Sequence, residues 1–176
     1  MTTGRILFCC VLFALTLLPG LALAQSSPRW TFVEGGAIRV DPDDLSADNG
    51  WYVGASVGIK SFHIIGEFDG LDFNRWELGG GWHGLLGKKA DLVAEGTYLD
   101  ADIDDGFRLS VGVRWMVLDP LEISFYVNHT NLDLTDATAL EINAIWTFDK
   151  IVGVGGGIEY GDEGNTGRLF VRFTIK

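Results

Sequence analysis

The sequence predicts an all-β protein, an antiparallel up-and-down transmembrane β-barrel of about ten strands, and three observations support this. From Trp30 onward, apolar and polar residues alternate in segments of roughly ten residues, as in strands that turn one face to lipid. The connections between these segments are alternately short and longer. The aromatic residues of the apolar faces fall at two levels, as in the girdles at membrane interfaces.

The N-terminal segment has the features of a secretory signal peptide. Arg5 is followed by an apolar run over residues 6–18, a Pro19-Gly20 break and small residues at Ala22 and Ala24. We predict cleavage after Ala24, so that residues 25–176 form a single outer-membrane β-barrel domain. A transmembrane helical anchor is the less favoured alternative, because the apolar run is shorter than the roughly 20 residues that a spanning helix needs.

Composition narrows the class of the exported part. Cys9 and Cys10 both lie in the predicted signal peptide, so the mature chain has no disulfide. Gln25, not cysteine, follows the cleavage point, which argues against a lipid-anchored protein. All 24 acidic residues of the chain lie after Ala24, and the net charge of −11 argues against nucleic acid as a partner.

The predicted strands follow one another through the mature chain. They cover residues 30–40, 51–60, 62–68, 75–85, 90–99, 107–118, 121–129, 138–148, 151–160 and 168–176. The second is typical, with Trp51, Val53 and Val57 on one face. The first is irregular because Glu34 is in phase with Trp30, so an eight-stranded barrel with one hairpin outside it is the structural alternative.

The connections and the aromatic residues predict how the barrel is oriented. Short turns at residues 61, 87–89, 119–120 and 149–150 are expected on the periplasmic side, and longer acidic loops at 41–50, 69–74, 100–106, 130–137 and 161–167 on the extracellular side. Threading the strands up and down gives one girdle near the loops, formed by Trp51, Phe68, Trp76, Tyr98, Phe107 and Tyr160. The other lies near the turns and comprises Phe62, Trp82, Trp115, Trp146, Phe148 and Phe173.

Several motifs resemble a family of short Gram-negative outer-membrane β-barrel proteins, members of which are sometimes named sulfation-dependent quorum factor. The similarity lies in the segments 32–36, 50–58, 62–67, 76–81, 91–94 and 106–114, and covers about the first three fifths of the mature chain. The resemblance implies an outer-membrane location and no catalytic residue. The C-terminus departs from the usual outer-membrane pattern, because Phe173 is followed by Thr174-Ile175-Lys176 rather than ending the chain.

The polar faces carry many ionisable side chains that are expected to point into the barrel. They are Lys60, His63, Glu67, Arg75, Glu77, His83, Asp91, Glu95, Arg108, Arg114, Glu122, Glu141, Glu159, Arg168 and Arg172. In so narrow a barrel, opposite charges are expected to pair and to plug the interior. The alternative is a selective pore lined by the same charges.

Two histidines are the strongest catalytic candidates, and we interpret them as structural. His63 and His83 are expected on neighbouring strands, both inward and near the turns, close to Asp91 and Lys60. A barrel protease would need such groups at the outer rim, and His129 at that rim is on the lipid-facing phase. No nucleophile and base converge, so the sequence predicts no enzyme activity.

The loops carry many carboxylates and no lysine or arginine. The segment 100–106 is similar to a calcium-binding loop in its spacing, but its glycine comes one position late and Val111 replaces the last ligand. Asp100, Asp102, Asp104 and Asp105 remain a candidate for a looser, loop-bound Ca²⁺ or Mg²⁺ site; no other cofactor is expected. Alternatively, the acidic loops are simply solvated.

The leading functional hypothesis is therefore a small, non-catalytic, porin-like barrel of the cell outer membrane with a structural or surface-interaction role. The runner-up is a narrow ion or solute channel. The expected partners are outer-membrane lipid, including lipopolysaccharide, and the machinery that assembles barrels. The sequence predicts neither the physiological role nor the oligomeric state.

Overall fold

A computed structural model of the chain describes residues 28–43, 46–72, 74–102, 104–132 and 136–175. The predicted signal peptide lies outside these residues. Ten strands follow in chain order: β1 (Phe32–Pro42), β2 (Asp48–Ile59), β3 (Phe62–Gly70), β4 (Arg75–Leu85), β5 (Ala90–Ala101), β6 (Asp104–Leu118), β7 (Leu121–Leu132), β8 (Asp136–Thr147), β9 (Val152–Gly161) and β10 (Gly164–Thr174).

The ten strands close into one antiparallel barrel. Each strand pairs with its neighbours in sequence, and β1 pairs with β10 to close the sheet, with Phe32 opposite Thr174 and Pro42 opposite Gly164. Closure leaves no free sheet edge, which is the condition for a sheet to cross a membrane. The predicted ten-stranded fold is confirmed, and the eight-stranded alternative does not apply because β1 pairs on both sides.

The strands extend further than expected at the loop end, the end that carries the connections β1–β2, β3–β4, β5–β6, β7–β8 and β9–β10. Asp100 lies opposite Asp105 in the β5–β6 ladder, although both were assigned to a loop. Between β9 and β10 only Asp162 and Glu163 remain outside the strands, and Gly164 follows with a φ of +132°. Backbone pairing does not depend on side-chain polarity, so it continues where the apolar alternation stops.

The opposite end, which we call the turn end, has compact connections. In the β2–β3 turn Lys60 has a φ of 57°, and in the β8–β9 turn Lys150 has a φ of 72°. Asp149 stabilises the second of these turns, because its Oδ1 accepts hydrogen bonds from the backbone N of Ile151 at 3.0 Å and of Val152 at 2.8 Å.

The outer surface of the barrel is apolar. Large apolar side chains such as Trp51, Val57, Ile64, Leu109 and Ile158 are exposed on it. At the loop end, aromatic rings contact one another along the sheet, with centroids 5.5 Å apart for Trp51 and Phe68, 5.6 Å for Trp76 and Tyr98, and 5.4 Å for Tyr98 and Phe107. A surface of this kind is stable in lipid and not in water.

A small apolar cluster in the interior is formed by Ile38, Tyr52, Ile145 and Phe170. Glycines on the inward face make room for it: a Cβ at Gly155 would lie 2.6 Å from the ring of Phe170. In the described part of the chain, no helix is long and apolar enough to cross a membrane.

Candidate functional site: the charged lumen

The lumen is filled by ionisable side chains, as the sequence predicted, with one exception. Lys60 was expected inside, but it lies exposed in the β2–β3 turn, where its positive φ carries it out of the alternating pattern. The other predicted inward residues are buried or half-buried.

Nearest the turn end, four charged side chains form what we call the turn-end ion-pair layer: Arg114, Glu122, Arg172 and Glu34. Arg114 on β6 donates to Glu122 on β7 through Nε at 2.8 Å and lies 2.7 Å from it through Nη2. Arg172 on β10 bonds to Glu34 on β1 at 2.6 Å and lies 3.9 Å from Glu122. The layer therefore links strands on opposite sides of the barrel.

Aromatic rings cover the arginines of this layer. The guanidinium carbon of Arg172 lies 3.8 Å from the ring centroid of Phe32, and that of Arg114 lies 4.2 Å from the ring of Trp30. Such cation–π contacts are strongest where water is excluded. Each arginine contacts a carboxylate and an aromatic ring at the same time, so the side chains of the layer are closely packed.

Further toward the loop end, more arginines bridge the lumen. Arg168 on β10 pairs with Glu67 on β3 at 2.7 Å. Arg108 on β6 lies 3.2 Å from Glu77 on β4 and 3.8 Å from Glu159 on β9. None of these pairs joins adjacent strands, so the bonds cross the interior. They also neutralise like charges that the strand register places directly opposite one another, such as Glu67 and Glu77.

One carboxylate pair is compensated less fully. Glu141 and Glu159 lie directly opposite each other on β8 and β9. The side-chain amide of Asn128 donates to Glu141 at 2.9 Å and to Glu159 at 2.8 Å. Asn143 also donates to Glu141, at 2.8 Å. Two neutral amides therefore supplement the distant charge of Arg108, which lies 3.8 Å from Glu159.

The chain before β1 enters the barrel instead of continuing the strand. Trp30 is buried, and its indole Nε1 donates to Asp91 on β5 at 2.8 Å. Its backbone carbonyl accepts a hydrogen bond from Ser56 at 2.8 Å, and the carbonyl of Arg29 accepts one from Arg114 at 3.0 Å. The segment before β1 therefore closes the turn end of the lumen on one side.

His63 and His83 meet as predicted, both buried and near the turn end. Their Nδ1 atoms are 3.2 Å apart, and His63 Nε2 lies 2.8 Å from Glu95 Oε1. The indole of Trp30 stacks on both imidazoles, with centroids 4.4 Å from His63 and 4.1 Å from His83. Ring stacking and the Glu95 carboxylate hold the pair, and among the described residues no hydroxyl group hydrogen-bonds to either ring.

Two cavities lie inside the barrel on either side of the turn-end ion-pair layer. A cavity of about 120 Å³ runs through the lumen on the loop-end side and is lined by Tyr52, Glu67, Glu141 and other inward residues. A wider one of about 450 Å³ opens at the turn end. Both have Arg114, Glu122 and Arg172 in their walls, so the two cavities adjoin at the layer.

The sequence interpretation missed the inward role of Trp30, Phe32 and Ile38. All three are buried and share the face of Glu34, because apolar rings here cover charged groups inside the lumen. The mixed pattern of this segment was the available signal. Such a mixed pattern is expected when the inward face of a strand carries apolar side chains that pack against charged groups in the lumen.

The predicted metal-binding aspartates lie at the loop end. Asp105 accepts a hydrogen bond from the hydroxyl of Tyr98 at 2.7 Å, and Asp102 accepts one from the backbone N of Asn74 at 3.1 Å. Asp100 is half-buried and lies opposite Asp105 in the ladder. Over the described residues, no three His, Cys, Asp or Glu side chains form a metal-binding group.

Comparison with known proteins shows a shared fold. The chain is similar to the KdgM porin, with a TM-score of 0.59 at 12% sequence identity, covering 82% of this chain and 99% of that chain. It is also similar to the KdgM porin in complex with disordered oligogalacturonate, with a TM-score of 0.53 at 10% identity, covering 85% and 100%. No protein-family model and no curated protein matches the sequence.

The closed ten-stranded sheet, the apolar outer surface and the polar, charged lumen together define a porin-like transmembrane β-barrel of the outer-membrane type.

Proposed function

We propose that the protein is a non-catalytic outer-membrane barrel with a sealed lumen, exported by a signal peptide cleaved after Ala24, and that it acts through its surface. The observation that carries this proposal is the turn-end ion-pair layer. It lies where the two cavities adjoin, and Phe32 and Trp30 pack directly against its arginines. The turn end would face the periplasm and the acidic loop end the exterior, as in other outer-membrane barrels.

The energetics favour a lumen that stays closed. Opening a continuous path requires at least one of the bonds of Arg114 or Arg172 to break while the partner remains buried. Breaking a buried ion pair in this way costs about 3 to 5 kcal/mol. An open state on that basis would be populated by less than about one molecule in a hundred.

Planar-bilayer recordings test the proposal. The wild-type protein should give no steady single-channel conductance, because the layer blocks the path. The double variant Arg114→Ala, Glu122→Ala removes both long side chains without leaving one charge unpaired, and it should conduct. Steady, reproducible steps from the wild-type protein would overturn the proposal.

A narrow cation-selective channel is the second candidate, and the composition of the lumen favours it over an anion channel. The inward carboxylates are Glu34, Glu67, Asp69, Glu77, Asp91, Glu95, Glu122, Glu141 and Glu159, and the inward arginines are Arg75, Arg108, Arg114, Arg168 and Arg172. The excess of negative charge would repel a polyanion. The oligogalacturonate of the KdgM structure is therefore not a ligand that we propose for this lumen.

We also propose a role for the acidic loop end in contacts with lipopolysaccharide through divalent cations. Asp100 and Asp105 lie directly opposite each other, and like charges in that position destabilise a ladder unless a cation lies between them. Ca²⁺ or Mg²⁺ held by Asp100, Asp102, Asp104 and Asp105 would relieve this repulsion and bridge to lipid phosphates. We propose, in addition, that the chain belongs to the quorum-factor family and that the barrel assembly machinery inserts it into the membrane.

Thermal melting in detergent tests the cation proposal. Calcium or magnesium should raise the melting temperature relative to sodium at matched ionic strength, because a ligand that prefers the folded state stabilises it. The shift should shrink in the variant Asp102→Asn, Asp105→Asn. Equal melting temperatures with calcium, magnesium and a chelator would leave the loop end with no cation site.

A further inference from the structure

The wider cavity at the turn end differs in charge from the rest of the protein. We call it the turn-end vestibule. Its walls carry four cationic side chains, Arg29, Arg114, Lys150 and Arg172, against two carboxylates, Asp119 and Glu122. The whole chain, in contrast, has a net charge of −11. A local excess of positive charge in so acidic a protein needs an explanation.

Among the residues that the structure describes, two of the four cations form no ion pair with a carboxylate. Arg114 is paired with Glu122, and Arg172 with Glu34, within the turn-end ion-pair layer. Arg29 donates from Nη1 to the backbone carbonyl of Lys150, which carries no charge. Within the described part of the chain, neither Arg29 nor Lys150 has a carboxylate partner at ion-pair distance. The contact between them instead holds two cations together at one side of the mouth.

The other side of the vestibule is apolar. Met116 on β6 and Ile145 on β8 are buried, and Phe148 follows β8 at the rim. The volume of about 450 Å³ lies in the range of small-molecule sites. Pockets of this type combine an apolar wall with a few placed charges, which fix the orientation of the ligand.

We propose that the turn-end vestibule binds a small organic anion, with a phosphate or carboxylate group held by Arg29 and Lys150 and an apolar part packed on Met116 and Ile145. The arginine supplies a planar pair of donors and the lysine a point charge, which is the usual combination for such groups. With the lumen sealed at the ion-pair layer, as proposed above, the anion is bound and not conducted. The site does not depend on the sealed-lumen proposal, since an open layer would leave both cations in place.

The charges around the turn end strengthen this inference. The four described lysines, Lys60, Lys88, Lys89 and Lys150, all lie in turns at this end. Their field raises the local concentration of anions at the mouth. Lys150 lines the vestibule, whereas the other three lysines do not. Replacing one of those three therefore measures how much the general positive field at this end contributes to anion binding.

Calorimetric titration with phenyl phosphate tests the proposal, with the intact barrel in a neutral detergent. Lys150→Gln and Arg29→Gln should each weaken binding roughly tenfold, the effect of losing one charge-assisted hydrogen bond of about 1.4 kcal/mol. Lys89→Gln removes the same charge from the same end and should change the affinity by less than about twofold at 150 mM salt, where screening is strong. Inorganic phosphate, which lacks the apolar part, should bind more weakly than phenyl phosphate.

Two outcomes would overturn the proposal: no saturable binding of phenyl phosphate, or equal losses in Lys150→Gln and Lys89→Gln, which would reduce the effect to the general field. Titrations in lipid discs then identify the source of the anion. Affinity that is unchanged between phosphatidylcholine and phosphatidylglycerol discs supports a soluble ligand. Competition by phosphatidylglycerol supports a lipid headgroup in the same site.

Discussion

Replacing Val111 by arginine should lower the free energy of unfolding from lipid by about 2 to 4 kcal/mol. Val111 lies in the middle of β6, opposite Ala94 and Val127, and its side chain is 57% exposed on the apolar outer surface. An arginine at this depth leaves its charge in hydrocarbon. Urea titrations of the barrel folded in lipid vesicles measure the change.

Leu118→Arg is the matched control. Leu118 is exposed like Val111 but ends the same strand at the turn end, where the side chain reaches the interface. The cost there should fall to about 0 to 1 kcal/mol. Equal costs at the two positions would contradict a membrane-spanning β6. If the strand were surrounded by water, both exposed positions would have the same polar environment, and arginine would cost the same at each.

Glu122→Ala should cost about 3 to 5 kcal/mol of stability. Its Oε1 accepts the bonds of Arg114 at 2.8 and 2.7 Å, and both side chains are buried. Without the carboxylate, the guanidinium of Arg114 remains inside the lumen with its charge unpaired. The same vesicle titration measures the loss.

The double variant Arg114→Met, Glu122→Leu separates the loss of the pair from the presence of an orphaned charge. It replaces both groups by apolar side chains of similar volume, and such replacements of buried pairs are often neutral or stabilising. Most of the stability lost in Glu122→Ala should therefore return. A double variant as unstable as the single one would show that the pair itself, and not the unpaired charge, sets the cost.

The sequence predicted the barrel well because one physical rule governs most of each strand. In the middle of β2 and β6 the lipid-facing positions are apolar and the inward positions, apart from Met116, are polar or small, so the two faces can be sorted without a structure. The strand ends were less predictable. Asp41 and Asp136 lie on strands, although their polarity placed them in loops, because hydrogen bonding of the backbone continues past the apolar band.

The sequence predicted which charged residues point into the lumen but not which of them pair. Alternation placed Arg114, Glu122 and Arg168 inside, and the narrow girth implied that they pair. Which residues pair depends on contacts across the barrel, such as that between Arg168 on β10 and Glu67 on β3, and register alone does not reveal them. His63 and His83 were predicted together because they lie on adjacent strands.

The segment before β1 could not be predicted from alternation. The rule sorts residues into lipid-facing and inward, and it treats an apolar ring as lipid-facing. Trp30 breaks that rule, because its indole is buried between Arg114 and the two imidazoles, with Asp91 as its hydrogen-bond partner. Inside the lumen Trp30 is stabilised by the Arg114 guanidinium and by the Asp91 carboxylate. Both residues are distant in sequence, so the residues next to Trp30 do not predict these contacts.

The measurement that tests the sealed, lipid-embedded barrel most directly is quenching of single tryptophans by brominated lipids. Trp30 and Trp146 both lie near the turn end, but Trp30 is 9% exposed inside the lumen and Trp146 is 46% exposed on the outer surface. In variants that keep only one of the two, with the other tryptophans changed to phenylalanine, bromine near the interface should quench Trp146 strongly and Trp30 hardly at all. Equal quenching would place Trp30 in the lipid and contradict the closed lumen.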